Sequence, residues 1–519
     1  MERKSILNYV IGPIMRGPSS SHTAASYFIG KLVGNFVNYQ IENVKIIFNE
    51  GSSWAHVYRM QNSEYGFIAG LINYDWFLDN FYQLKEKILH QNISVNFMDQ
   101  PCSEADHPNY VKIELNSSSH PPIIVHAKST GGGTILLTKF NEWNVEINGE
   151  NYYLLIEYQK EQEKPLFQSL NKFFLSEDYL LSQNHKEWNF IQITAKTPIP
   201  KELLNYLNKT NPMNLKFHRI NPIVNVIKGE PLFRNSQELL ALVKKNPITL
   251  GNIGLQYEAQ LLGCSIEKIF KDTEKRLKVM LRSVETGLNK NKSNMRILKH
   301  SASHIYNKFQ EKALYVNNIN TKCALYALAA MDVTSSGGMI CAAPTGGSAG
   351  VLPAILYILA KEFELNTKQL CLCLLAAGVI GLINSYRSTF AAEIAGCQVE
   401  IGMAGAMGCA AVIEAANSTP ENALNAAAIS LQNTMGSVCD LIAGLCEIPC
   451  HTRNATVASN AFVCADLILG GYINPIPLDE TLDASLESGM LLPKELRCTA
   501  LGGIANTKTA KKLFKKLDK

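Results

Sequence analysis

Between residues 323 and 470 the chain consists mainly of Ala, Gly, Cys and aliphatic residues, with few charges. Segments such as ENALNAAAISLQNTMG carry apolar residues at helical spacing. Helices that are apolar nearly all round have to be buried on most faces. This stretch therefore predicts a helical bundle with a central site. The helical pattern begins earlier, at Ser236, and runs through SQELLALVKK and SIEKIFKDTEKRLKVMLRSVETGL. The apolar run Leu370–Ile383 spans 14 residues, too short for a membrane span and normal for a core helix.

A chain of 519 residues exceeds one ordinary core, so two or three domains are expected. Residues 1–150 read as a mixed α/β domain, with strands at 44–48 and 123–127, helices at 24–36 and 77–90, and a tight turn at Gly131-Gly132-Gly133. Residues 151–222 give the order strand, helix, strand, strand, helix, strand, which is that of the ferredoxin-like unit. Residues 223–234 form a connector, and 235–519 form an all-α domain. The fold class expected is thus multidomain α+β.

The balance of 46% apolar and 18% charged residues suits a folded, soluble protein, and a net charge of +4 is weak. No run of Lys and Arg with interleaved aromatics suggests a nucleic-acid surface; the Lys-rich tail, ending at Lys519, reads as a solvated helix end. MERKSILNYV lacks the apolar stretch of a signal peptide. Thirteen cysteines without disulfide-framework spacing fit a reducing cytoplasm. No membrane or nucleic-acid partner is expected.

Three segments carry candidate chemistry. Gly17-Pro18-Ser19-Ser20-Ser21-His22-Thr23 places four hydroxyls and an imidazole at a helix mouth, where backbone N–H groups and the helix dipole favour an anion. An ordinary N-cap with spare serines is the plainer explanation. Ala343-Pro344-Thr345-Gly346-Gly347-Ser348-Ala349-Gly350 could also bind an anion through its backbone, although turn chemistry explains such a loop about as well. The third set is Cys397, Cys439 and Cys450, in AGCQVEIG, GSVCDLIAG and EIPCHTRN. Three thiolates can hold a [4Fe–4S] cube and leave one iron without a protein ligand. Buried free cysteine is the alternative. Asp440, Glu447, His451, Arg453 and Asn454 crowd the same region, and polar groups in an apolar setting are costly unless paired.

In order and spacing, GPSSSHT, STGGGTI, LRSVETGL, CAAPTGGSAGVLPA, GCQVEIGMAGAM, CDLIAGLCEIPCHTRNA and ALGGIANT resemble the iron–sulfur-dependent L-serine dehydratases over nearly the whole chain. The resemblance joins in one polypeptide what some members carry as beta and alpha subunits, with an ACT-type regulatory unit at 151–222. It implies a [4Fe–4S] cluster on Cys397, Cys439 and Cys450. It implies a clamp for a small amino-acid substrate formed by Ser19, Ser20, Ser21, His22 and Thr23, with Thr345, Gly346 and Gly347 facing it, and His22 as the candidate catalytic group. The implied reaction converts L-serine to pyruvate and ammonia, the open iron acting on the hydroxyl, in a homodimer. The chain departs from the family where GSSWAHVYRMQNSEYG lacks the His of a GHGTD-like segment, His56 standing three residues too early. Cys498 stands where a Glu is usual, and Cys446 matches no family cysteine.

Other readings stay open. One is the same chemistry on another β-hydroxy or β-substituted amino acid. A second is a non-catalytic Fe–S or amino-acid sensor. A third is a pyridoxal-phosphate lyase, which needs a Schiff-base Lys; residues 370–493 hold none.

Overall fold

The computed structural model describes residues 3–517 apart from 79–80, 119, 175–178, 186, 210–213 and 290–292, and the backbone alone of 179–181. The molecule is mixed α+β, with helices predominating. Lys519 lies outside the described residues.

The N-terminal part is built on a six-stranded sheet. Its strands lie in the order 94–100, 43–49, 110–116, 123–131, 134–140, 143–147. Only the 43–49/94–100 pair is parallel, with Val44 opposite Val95; the remaining pairs are antiparallel. The edge strand Trp143–Ile147 buries Trp143, Val145 and Ile147 and turns Asn144 and Glu146 outward, the alternation of a half-buried strand. An exposed strand edge invites pairing with another chain. Here Gln183 and Gln192 cover it. Gln183 accepts the Asn144 N–H at 3.1 Å and donates to the Asn144 carbonyl at 2.6 Å, and Gln192 does the same at Glu146 at 3.1 and 2.8 Å.

Helices Ala25–Phe36 and Ser63–Leu71 cover this sheet and cross at unusually short range. A Cβ on Gly30 would stand 2.6 Å from the Phe67 carbonyl oxygen, and one on Gly70 closer still to that of Tyr27. Backbone cannot yield as a flexible side chain can. Gly70→Ala should therefore destabilise the fold by about 1–3 kcal/mol, seen as an earlier first transition in thermal unfolding. An unchanged transition would show that the crossing can relax.

One predicted element differs. The helix expected at 77–90 begins only at Leu84, after a short 3-10 turn at Phe81–Gln83. The buried guanidinium of Arg16 donates to the carbonyls of Trp76 at 2.6 Å and Leu78 at 2.7 Å. Those acceptors are thereby withdrawn from a helical ladder.

In the middle part, strands at 152–159, 179–185, 188–195 and 215–220 and helices at 163–170 and 201–209 follow the expected chain order. The four strands lie in the order 215–220, 152–159, 188–195, 179–185, all antiparallel. Leu154, Ile156, Ile191 and Ile193 pack against Leu166, Leu170, Leu203 and Leu207 in a small core of their own.

From Ser236 onward the chain is helical except for the strand Met339–Cys341, which departs from the all-α expectation; the first helix is capped by the Asn235 side chain, which accepts the Glu238 N–H at 2.8 Å. The long helix Ile266–Asn289 buries Ile269, Thr273, Leu277, Met280 and Val284 along one stripe. Thr367–Arg387 and the segment Cys397–Ala415 are apolar and long enough to cross a membrane, yet 83% and 94% of their apolar windows are buried within the protein. They are core helices, in keeping with the reading of Leu370–Ile383. This half is joined to the N-terminal part at several places, two of them close to the N-terminus. Ile6, Leu7, Val10 and Ile11 lie in the helical core rather than against the sheet, and Ile14–Arg16 pairs with Met339–Cys341 in a two-stranded ladder.

Candidate active site

The hydroxyl-rich segment forms one wide turn, Ser20–Ala24, that runs into the helix Ala25–Phe36. Ser19 Oγ accepts the His22 N–H at 3.3 Å, and Thr23 Oγ1 donates to the Gln61 carbonyl at 2.7 Å. The Gly346 N–H donates to Ser20 Oγ at 3.0 Å, which ties this turn to the second predicted loop. There the Thr345 and Ser348 hydroxyls lie 3.0 Å apart. Ser19, Ser20, Ser21, His22, Thr23 and Thr345 are all buried. Asn454 Nδ2 donates to the carbonyls of Gly347 and of Cys450, each at 2.9 Å, so one amide holds the glycine loop and a candidate thiol ligand in register.

Two carboxylates complete the polar set. Glu393 Oε1 accepts the Ser21 hydroxyl at 2.7 Å and lies 3.6 Å from His22 Nδ1. Its second oxygen and His22 Nε2 are both buried with no hydrogen-bond partner among the described residues. Burial pushes the His22 imidazole down to about 4, against the opposing pull of Glu393, so His22 is neutral at neutral pH. Burial, with Cys397 and Glu393 adding repulsion, pushes the Glu400 carboxyl well above its usual value. His107 is lowered by burial while Glu393 pulls the other way. Glu393, Glu400 and His107 were not singled out from the sequence. The first two flank Cys397 in AAEIAGCQVE, where isolated charges in an apolar run were the available signal.

The three predicted cysteines are buried, and two more join them. Cys439 touches the thiols of both Cys397 and Cys498, and Cys446 touches Cys450. None forms a disulfide. The Cys397 and Cys498 thiols beside it, together with burial, hold Cys439 well above the usual thiol value, a situation that a bound cation reverses. Cys450 opens the helix Cys450–Leu469, whose N-terminus favours negative charge. One turn on, Arg453 Nη1 lies 3.7 Å from Cys397 Sγ, and its Nη2 donates to Asp440 Oδ1 at 3.0 Å. Among the described residues no group of three or more His, Cys, Asp and Glu converges closely enough for a single metal ion. Adjacent buried thiols on separate segments suit instead a cluster, which spreads its ligands over several irons.

A cavity of about 150 Å³ lined by Pro18, Asn62, Tyr82, Arg296, Ser335 and Cys446 lies beside both the hydroxyl turn and the thiols. His56, weighed as a replacement for the missing histidine, is exposed. It lines a separate outer cavity of about 610 Å³ with Arg59, Lys511 and Phe514. Gln61, from the segment that lacks that histidine, reaches the turn through its carbonyl.

A buried pocket with hydroxyl, imidazole, carboxylate and thiol groups, assembled from both ends of the chain, is that of an enzyme. Residues 171–505 match the family model described as serine dehydratase alpha chain. The chain is 35% identical over 286 residues to the Bacillus subtilis protein named "Probable L-serine dehydratase, alpha chain", covering 55% of this chain and 95% of that one. It is 32% identical over 283 residues to the L-serine dehydratase alpha chain of Peptoniphilus asaccharolyticus, covering 54% and 97%. It is 33% identical over 183 residues to an L-serine dehydratase of Escherichia coli K12, covering 35% and 40%. The chain belongs to the serine dehydratase alpha chain family.

Proposed function

We propose that this enzyme converts L-serine to pyruvate and ammonia, using a [4Fe–4S] cluster held by Cys397, Cys439 and Cys450. The observation that carries this reading is the meeting of two anion-receptive loops beside the buried thiols, through the Gly346 N–H and Ser20 Oγ at 3.0 Å. When bound, such a cluster supplies a Lewis-acidic iron that makes a hydroxyl a better leaving group.

The chain's own residues do the rest. The Ser19, Ser20 and Thr23 hydroxyls and the facing 345–347 loop hold the substrate carboxylate and amine. Neutral His22 takes the α-proton. The aminoacrylate so formed tautomerises to an imine, which water converts to pyruvate and ammonia. Burial of the turn keeps bulk water from the elimination step. On the same reading residues 1–150 are a beta-type domain, 151–222 an ACT-like regulatory module and 235–519 the alpha-type catalytic domain, in a cytoplasmic homodimer.

Pyruvate release from L-serine by anaerobically prepared protein, before and after reconstitution with iron and sulfide, tests the proposal. Iron-dependent pyruvate is expected. A fully loaded protein that releases none would remove L-serine as substrate, and turnover of another β-hydroxy amino acid would then name the replacement.

A further inference from the structure

We propose that Glu393, acting through the Ser21 hydroxyl, is a positioning residue that fixes the His22 proton on Nδ1 and so leaves Nε2 as the base that takes the substrate's α-proton. The inference rests on the lyase reading above and names a part that the reading leaves open.

Proton accounting carries it. Ser21 Oγ lies 2.7 Å from Glu393 Oε1. The Ser21 hydroxyl is the donor in this bond, so its single proton points to Glu393. Ser21 Oγ also lies 3.1 Å from His22 Nδ1. With its proton committed to Glu393, the hydroxyl can only accept at that second contact, and Nδ1 has to be the protonated nitrogen. Glu393 Oε1, 3.6 Å from Nδ1, attracts the same hydrogen. Ser19 Oγ, 3.1 Å from Nδ1, already accepts the His22 backbone N–H and is free to accept here too. Nε2 is then the nitrogen with the lone pair, and it is buried without a hydrogen-bond partner among the described residues. Leaving a buried acceptor unpaired is unfavourable, and a substrate C–H delivered to it supplies the missing proton. The edge of the His22 ring meets Trp54, with centroids 6.0 Å apart and planes at 83°, which holds the ring orientation. The 59–64 segment meets the hydroxyl-rich stretch through the Gln61 carbonyl and, at 3.4 Å, the Asn62 amide, neither of them a proton acceptor of useful basicity.

The step balances. The Cα–H bond breaks and its proton passes to Nε2. The electron pair becomes the Cα=Cβ bond, and the Cβ–O bond breaks with its pair on the departing hydroxide. The imidazolium, stabilised through Ser21 by Glu393, returns a proton to hydroxide as water, so His22 ends as it began. Ser21 on this account relays charge rather than contacting substrate.

The test compares Ser21→Ala and Ser21→Thr with wild type as cluster-loaded holoenzyme. The readouts are kcat, KM, wash-in of deuterium at the α-carbon of L-serine, and visible absorption of the cluster. Ser21→Ala should lower kcat and deuterium wash-in together by about 10²–10⁴-fold, the range for losing correct acid–base placement. KM and absorption should stay within about threefold of wild type. Ser21→Thr keeps a hydroxyl and should recover most of both rates. A raised KM with kcat retained would make Ser21 a substrate ligand and overturn the relay. So would unchanged wash-in in the alanine variant. If the alanine variant does not fold, the threonine variant decides alone: folded, loaded but without wash-in, it too overturns the relay. Wild type that is loaded yet inert on L-serine would instead sink the lyase reading itself.

Discussion

Cys450→Ser should leave a folded protein that binds less than one cluster and turns over L-serine at least about 10²-fold more slowly, the loss that even outer-shell changes at metal sites reach. The fold should survive because Cys450 is placed by its backbone. Its carbonyl accepts from Asn454 at 2.9 Å, and the helix it opens runs twenty residues to Leu469. Serine is nearly isosteric but a far poorer ligand for iron than thiolate. Cys409→Ser is the control, since the Cys409 thiol touches none of the three candidate ligands and donates to the Ala461 carbonyl at 3.5 Å. Iron and sulfide analysis with circular dichroism checks both variants. Full cluster content in Cys450→Ser would point to Cys446, which touches it, as the ligand in its stead.

Gly346→Ala should do the opposite: keep the iron and lose the activity. A Cβ at this position would lie 2.8 Å from the Ser20 nitrogen and 2.9 Å from the Pro18 carbonyl oxygen. Both are backbone atoms of the hydroxyl turn, so the two loops would have to part, and the 3.0 Å bond from Gly346 N–H to Ser20 Oγ would break. Displacing reacting groups by about 1 Å costs on the order of 10²-fold in rate, and kcat/KM should fall by that much or more. The three candidate ligands lie on other segments, so the absorption of the reconstituted protein should not change. Near-normal turnover would mean that the contact between the loops does not set the substrate's position.

Some of this architecture could be read along the chain and some could not. The middle unit was legible because each of its elements carries a complete local pattern, such as alternation in WNFIQITA and helical spacing in KELLNYLNK. The strand Ser94–Gln100 was not, because it is an edge strand with no buried side chain and without a clean alternation. The hairpin joining 134–140 to 143–147 turns on Asn141-Glu142, with Asn141 at φ 51, and lacks the Asn-Gly signature that marks such turns. At the site, residue type pointed to the hydroxyl turn and the glycine loop, and the family resemblance pointed to the three cysteines. The contact between Ser21 and Glu393 joins positions 372 residues apart, and no local pattern encodes such a pairing. Cys498 was noted as a departure from the family, yet only folding places its thiol against Cys439.

The short ladder between Ile14–Arg16 and Met339–Cys341 brings together strands from opposite halves of the chain. Were the two strands carried on separate polypeptides, each such ladder would depend on an encounter between two molecules and would be lost on dilution. In one chain the partner strand is always present at an effective concentration set by the intervening residues rather than by synthesis. The two strands of this ladder are therefore made in equal number, and their pairing is insensitive to how scarce the protein becomes.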